Sequence, residues 1–222
     1  MKKTSDHSVD ELQAYLDTQM SNTEHDRSLY ALAEQQLSVL LALFTLPEQG
    51  AAQKAVEFSH RYIMSSTHYL AAYQALAEEG HIGGYTRAFL YTAQQFFFTP
   101  HPIVDASTGK HALLCKAYLF HRMLEELNDR VALERQLPLV PNDIAHTNLI
   151  VHTLIGDEHA NLLDQSVLIQ LEIISSQQSE KAEGIFQQSS TLAATTALKN
   201  NGWDKTYNDW PCLKENMMDI FY

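Results

Sequence analysis

Apolar residues recur at intervals of three and four along most of this chain, and short polar or Pro/Gly-containing segments punctuate them. That spacing is the signature of helices that each bury one face. Ser8-Val9-Asp10-Glu11 is a capping box and predicts a short amphipathic helix to about Met20. Leu29, Ala33, Leu37, Leu40 and Phe44 predict one helix over 26–44, followed by a turn at LPEQG, 46–50. Ala55, Ser59, Tyr62, Ile63, Ser66, Tyr69, Leu70, Tyr73 and Leu76 line one face of a long helix over 51–79, which Gly80 should end. After the loop HIGG, 81–84, an aromatic-rich helix runs from Tyr85 to Phe98 and stops before Pro100. TPHPIVDASTGK is a surface connection, and Leu113, Ala117, Phe120, Leu124, Leu127 and Val131 form a nearly heptad stripe on a helix over 111–136.

The most informative stretch is 142–174. Asn142 or Asp143 offers an N-cap, no proline follows for thirty residues, and the natural reading is one long helix. Leu149, Ala160, Leu163, Val167, Leu171 and Ile174 share a broad apolar arc, and His152 and His159 lie within it, seven residues apart, with Gly156 between them. Asn148 precedes His152 by one turn. A less apolar helix is expected over 180–199, stopped by Asn200-Asn201-Gly202. In the tail, Leu213, Met217, Ile220 and Phe221 make a short amphipathic helix that either docks on the bundle or offers an apolar patch to a partner or a second copy.

No repeat, linker or strand pattern intervenes, so the expectation is an all-α, single-domain helical bundle spanning 1–222. It would comprise an N-terminal segment at 1–25, a core at 26–175 built as two long-helix hairpins joined by a short crossover helix, and a C-terminal piece at 176–222. Composition agrees: apolar content is 45% with 8 Gly and 6 Pro in 222 residues. The formal charge of −12 argues against nucleic acid and against an anionic membrane surface. Cys115 and Cys212 are the only cysteines, far apart and outside any CxxC pattern, which suggests neither a disulfide framework nor a thiolate metal site. The start MKKTSDHSVDEL has no apolar h-region, and the longest wholly apolar run, Val39 to Phe44, is too short to cross a bilayer. A cytoplasmic protein is expected.

The eleven histidines are the unusual item. Two imidazoles on one inward face either are satisfied core residues or converge on a metal or polar ligand. Glu57 and His60 form an ExxH pattern, His121 and Glu125 stand four apart and can meet on one helix flank, and Glu34 borders the stripe of its helix. Counted from the two hairpin turns, Glu34, Glu57, His60, Glu125 and His152 fall at similar heights and could share one layer of the bundle. Carboxylates mixed with imidazoles suit iron or manganese.

At these residues the chain resembles the helical carboxylate-and-histidine di-metal oxygenases of ferritin-like fold. Glu57–His60 matches their first ExxH, Glu125 the glutamate of their third helix, and His152 with His159 the histidines of their fourth. HRMLEELNDR is also similar to the HxxxEExGH segment of oxidases with the haem-oxygenase-like fold. The chain departs from these patterns at Gly156, where a carboxylate belongs, at Asn161 and at Asp129, where histidines belong. The resemblance implies a non-haem iron (or manganese) oxidase or oxygenase acting on a small organic substrate. Its metal ligands would be drawn from Glu34, Glu57, His60, His121, Glu125, His152 and His159, and the aromatic helix 85–98 would wall the substrate pocket. The alternative is a non-catalytic helical binding or partner-interaction protein on a degenerate version of such a fold.

Overall fold

The computed structural model describes residues 7–22, 25–79, 83–135, 143–178 and 211–212. The helix expected over 180–199 and the tail beyond residue 212 lie outside the described residues. Eight helices and no strand are found among the described residues: α1 (Val9–Met20), α2 (Asp26–Gln35), α3 (Leu37–Leu43), α4 (Ala51–Glu79), α5 (Gly83–Phe98), α6 (Gly109–Arg135), α7 (Asp143–Ile155) and α8 (Asp157–Gln178). A short 3-10 turn at Val104–Ala106 lies in the connection before α6. The fold is all-α, and no described helix is long and apolar enough to cross a membrane.

The local signals act as expected at several ends. Ser8 Oγ accepts the Glu11 N–H at 3.1 Å while the Glu11 carboxylate accepts the Ser8 N–H at 2.9 Å, so both halves of the capping box form. α4 spans the predicted 51–79, and its predicted face from Ala55 to Tyr73 is buried throughout.

α6 is the central helix. Between Leu113 and Leu124 every residue is buried except Lys116 and Arg122, because α1, α2, α4, α5, α7 and α8 all pack around it. A helix that is apolar nearly all round must be enclosed. The predicted stripe from Leu113 to Val131 is buried, but so are Leu114, Cys115, Leu119 and Met123 behind it.

Two predicted helices are broken. The helix over 26–44 divides at Gln36, whose φ of −97° and ψ of 4° lie outside the helical well. The larger correction concerns 142–174, which is not one helix. Gly156 has φ +92°, a conformation that L residues rarely adopt, and the chain reverses there. In a straight helix His152 and Asp164 would stand about 18 Å apart along the axis. Here His152 Nε2 lies 3.7 Å from Asp164 Oδ2. α7 therefore runs antiparallel to α6, with Asn148 at Glu125 and His152 at Tyr118, whereas α8 runs parallel to it, with Asp164 at Arg122 and Ser175 at Arg130.

Gly156 caps both arms of this V. Its N–H donates to the His152 carbonyl at 2.9 Å, and its carbonyl accepts from the Ala160 N–H at 2.9 Å. The Gln36 side chain sits so close that a Cβ on residue 156 would lie 2.8 Å from Gln36 Nε2. The break between α2 and α3 thus meets the break between α7 and α8.

Candidate functional site

The V opened at Gly156 closes against α6 and leaves a cleft of about 220 Å³, lined by Tyr118, Arg122 and Glu125 of α6, Ala145, Asn148, Leu149 and His152 of α7, and Asp164 of α8. Arg122 organises it. Its Nε donates to Asp164 Oδ1 at 3.0 Å, one terminal nitrogen donates to Glu125 Oε2, and the other reaches Glu126 Oε1 at 3.3 Å. Burial disfavours the charged guanidinium, but Glu125 and Asp164 outweigh it and push the pKa above its ordinary value, so the charge is permanent.

The remaining polar groups extend this network in two directions. Asn148 Nδ2 donates to Glu125 Oε2, and the buried Tyr62 hydroxyl donates to Asn148 Oδ1 at 2.6 Å. On the other side the Tyr118 hydroxyl donates to Asp164 Oδ1 at 3.0 Å. Burial first, and then the charge of Asp164, hold the Tyr118 phenol well above its ordinary value. His152 closes the cleft, its ring nitrogens 3.4 Å from Asn161 Oδ1 and 3.5 Å from Asp157 Oδ1. Two carboxylates, Glu125 and Asp164, line the cleft against one guanidinium, so the cleft is acidic. Neither Glu125 Oε1 nor Asp164 Oδ2 receives a hydrogen bond from the described residues.

Of the seven residues singled out by sequence, only Glu125 and His152 meet, in this cleft. Glu34 is exposed at the end of α2. Glu57 is a half-exposed partner of Lys54 at 2.8 Å and Gln53 at 3.0 Å. His60 contacts Asp26 at 2.8 Å, alongside the buried Lys110, whose ammonium reaches the same oxygen at 2.6 Å. Burial raises the Asp26 carboxyl, but the hydrogen bonds and charges of Lys110 and His60 hold it below its ordinary value.

His121 does not pair with Glu125. It faces α4, between the rings of Tyr62 and Tyr69, with Nε2 3.2 Å from the Tyr62 carbonyl and 3.2 Å from Ser66 Oγ. A carbonyl only accepts, which assigns the proton to Nε2. The buried Nδ1 has no partner among the described residues. Burial pushes this histidine down to about 3, so it is neutral. His159 turns away from His152 as well: it lies 3.8 Å from Cys115 Sγ, with the His111 ring 5.8 Å away. Burial pushes the Cys115 thiol up to about 12, which keeps it protonated. The shared-layer expectation therefore fails for these side chains, and no three His, Cys, Asp or Glu of the described residues are grouped to hold a metal ion.

Tyr118, Arg122 and Asp164 were not singled out by sequence as site residues. The available signal was Arg122 with Glu125 and Glu126 at i+3 and i+4 on a helix otherwise buried all round. No family model matches the chain, and no curated protein or solved structure is significantly similar to it.

Proposed function

We propose that this chain is a helical binding protein that takes a small organic cation in the acidic cleft between α6, α7 and α8. One observation carries the reading: Arg122 spends its charge on Glu125, Glu126 and Asp164, and two carboxylate oxygens at the cleft are left without a hydrogen bond from the described residues. A buried or half-buried carboxylate gains most from a charge-assisted donor. An ammonium or amidinium between Glu125 Oε1 and Asp164 Oδ2 supplies such donors, and the rings of Tyr118 and His152 wall the same cleft.

The competing reading is the non-haem iron or manganese oxidase, on a ferritin-like or haem-oxygenase-like bundle. Its donors here would be Glu125, His152 and Asp164. They do not fit a metal as arranged, because no three His, Cys, Asp or Glu of the described residues, these included, are grouped to hold an ion. No chemical step is derived through a metal.

Thermal denaturation with alkyl diamines and guanidinium compounds, set against matched dicarboxylates, tests the proposal. A cation at 100 times its Kd adds about 2.7 kcal/mol to stability, so the melting temperature should rise with diamines, and Asp164→Asn should abolish the rise. No shift with any cation, or an equal shift with dicarboxylates, would defeat the reading. One or two iron or manganese ions per chain, lost on His152→Ala, would transfer support to the oxidase.

A further inference from the structure

A second pocket, of about 520 Å³, shares no lining residue with the cleft at Arg122. Its size falls within the about 300–1,000 Å³ of sites that enclose small molecules. α4 contributes Lys54, Glu57 and Arg61, spaced by three and four residues and therefore on one face of that helix. The turn after α3 contributes Thr45, Leu46 and Pro47, and Pro211 completes the wall. That wall is tied in place. Thr45 N–H donates to the Cys212 carbonyl at 2.8 Å, and Cys212 N–H donates to Thr45 Oγ1 at 3.1 Å. His146 Nε2 of α7 lies 2.9 Å from the Pro211 carbonyl.

We propose that this pocket binds a small monocarboxylate with an apolar body, its carboxylate held by Arg61. The charges of the lining select that chemistry. Lys54 Nζ donates to Glu57 Oε2 at 2.8 Å, and Gln53 Nε2 donates to Glu57 Oε1 at 3.0 Å. These bonds hold the Glu57 carboxyl below its ordinary range, so it stays ionised and offsets the Lys54 charge. Arg61 is half-buried and has neither an ion pair nor a hydrogen bond among the described residues. A guanidinium partly withdrawn from water gains from a charged acceptor, and its planar fork matches the two oxygens of a carboxylate. The chain as a whole is acidic, at −12, but charges beyond about 8 Å are largely screened at physiological ionic strength, so the nearest groups set the preference. Lys54 and Arg61 against Glu57 leave the lining one positive charge in excess. One negative charge on the ligand balances it. A phosphate or a dicarboxylate brings a second, for which Lys54 is already taken. Leu46, Pro47 and Pro211 present hydrocarbon, against which the ligand's carbon body leaves water.

Amide NMR titration of the full chain with 4-phenylbutanoate, 4-phenylbutylamine and adipate tests this. The monocarboxylate should shift the amides of Thr45, Leu46, Lys54 and Arg61 in a saturable way, and adipate should bind at least fivefold more weakly. Arg61→Met should weaken 4-phenylbutanoate at least tenfold. Glu57→Gln, a change at a half-exposed position, should free Lys54 and raise adipate binding relative to the monocarboxylate at least fivefold. Asp164→Asn, which removes a carboxylate from the other cleft, should leave the monocarboxylate titration unchanged and so keeps the two sites distinguishable. Three results would overturn the proposal: no saturable shift at these amides, equal binding of the amine, or full binding by Arg61→Met. The last would mean that the ligand only adsorbs to the apolar wall.

Discussion

Substituting Gly156 decides between two readings of the same stretch by the sign of the effect. Were 142–174 a continuous helix, Gly156→Ala would replace a poor helix former by the best one and stabilise by about 1 kcal/mol. At φ +92° the opposite holds. A Cβ in a left-handed conformation costs about 1–2 kcal/mol, and here it would also stand 2.8 Å from Gln36 Nε2, so the glutamine must move. The expected loss is about 2–3 kcal/mol. Gly50 is the internal reference: its φ is +77°, but a Cβ there meets nothing within 4 Å, so Gly50→Ala should show the backbone cost alone. Adding Gln36→Ala to Gly156→Ala should return the difference between the two sites. Urea unfolding followed by helical circular dichroism at pH 7 gives these values, provided the slopes agree among variants. A Gly156→Ala protein as stable as wild type, or more so, refutes the reversal and with it the cleft.

Other outcomes follow from the same structure. His121 is neutral when folded, with its pKa near 3, and titrates near 6.5 when unfolded, so the unfolded state binds its proton first and stability falls as pH drops below about 6.5, by about 2 kcal/mol at pH 5. His121→Gln should flatten that slope between pH 6.5 and 5, and an unchanged slope would mean that this ring is not the cause. Lys110→Met should cost about 2–3 kcal/mol by leaving the Asp26 carboxylate with His60 alone, somewhat less than a fully buried pair because Asp26 is 23% exposed. Asp26→Asn in the same chain should recover part of the loss in chemical denaturation, and full additivity of the two changes would show that the pair is not coupled.

Periodicity and caps determined which residues enter helices, because those signals are local: the capping box at Ser8 and the buried face of α4 need only neighbours within a turn or two. The all-α class follows from the same information. The direction of the chain at Gly156 was not readable, since a glycine inside an apolar repeat is compatible with a straight helix and with a reversal. Contact with Gln36, a residue distant in sequence, and packing against α6 select the reversal. That one dihedral separates His152 from His159 and brings His152 to Asp164. His121 and Glu125 likewise share a helix flank in sequence, yet α4 claims one and α7 the other. Helical spacing says which side chains can share a face. Which of them meet is decided by the elements packed against that face, because hydrogen bonds and burial act over a few ångströms between residues far apart in the chain.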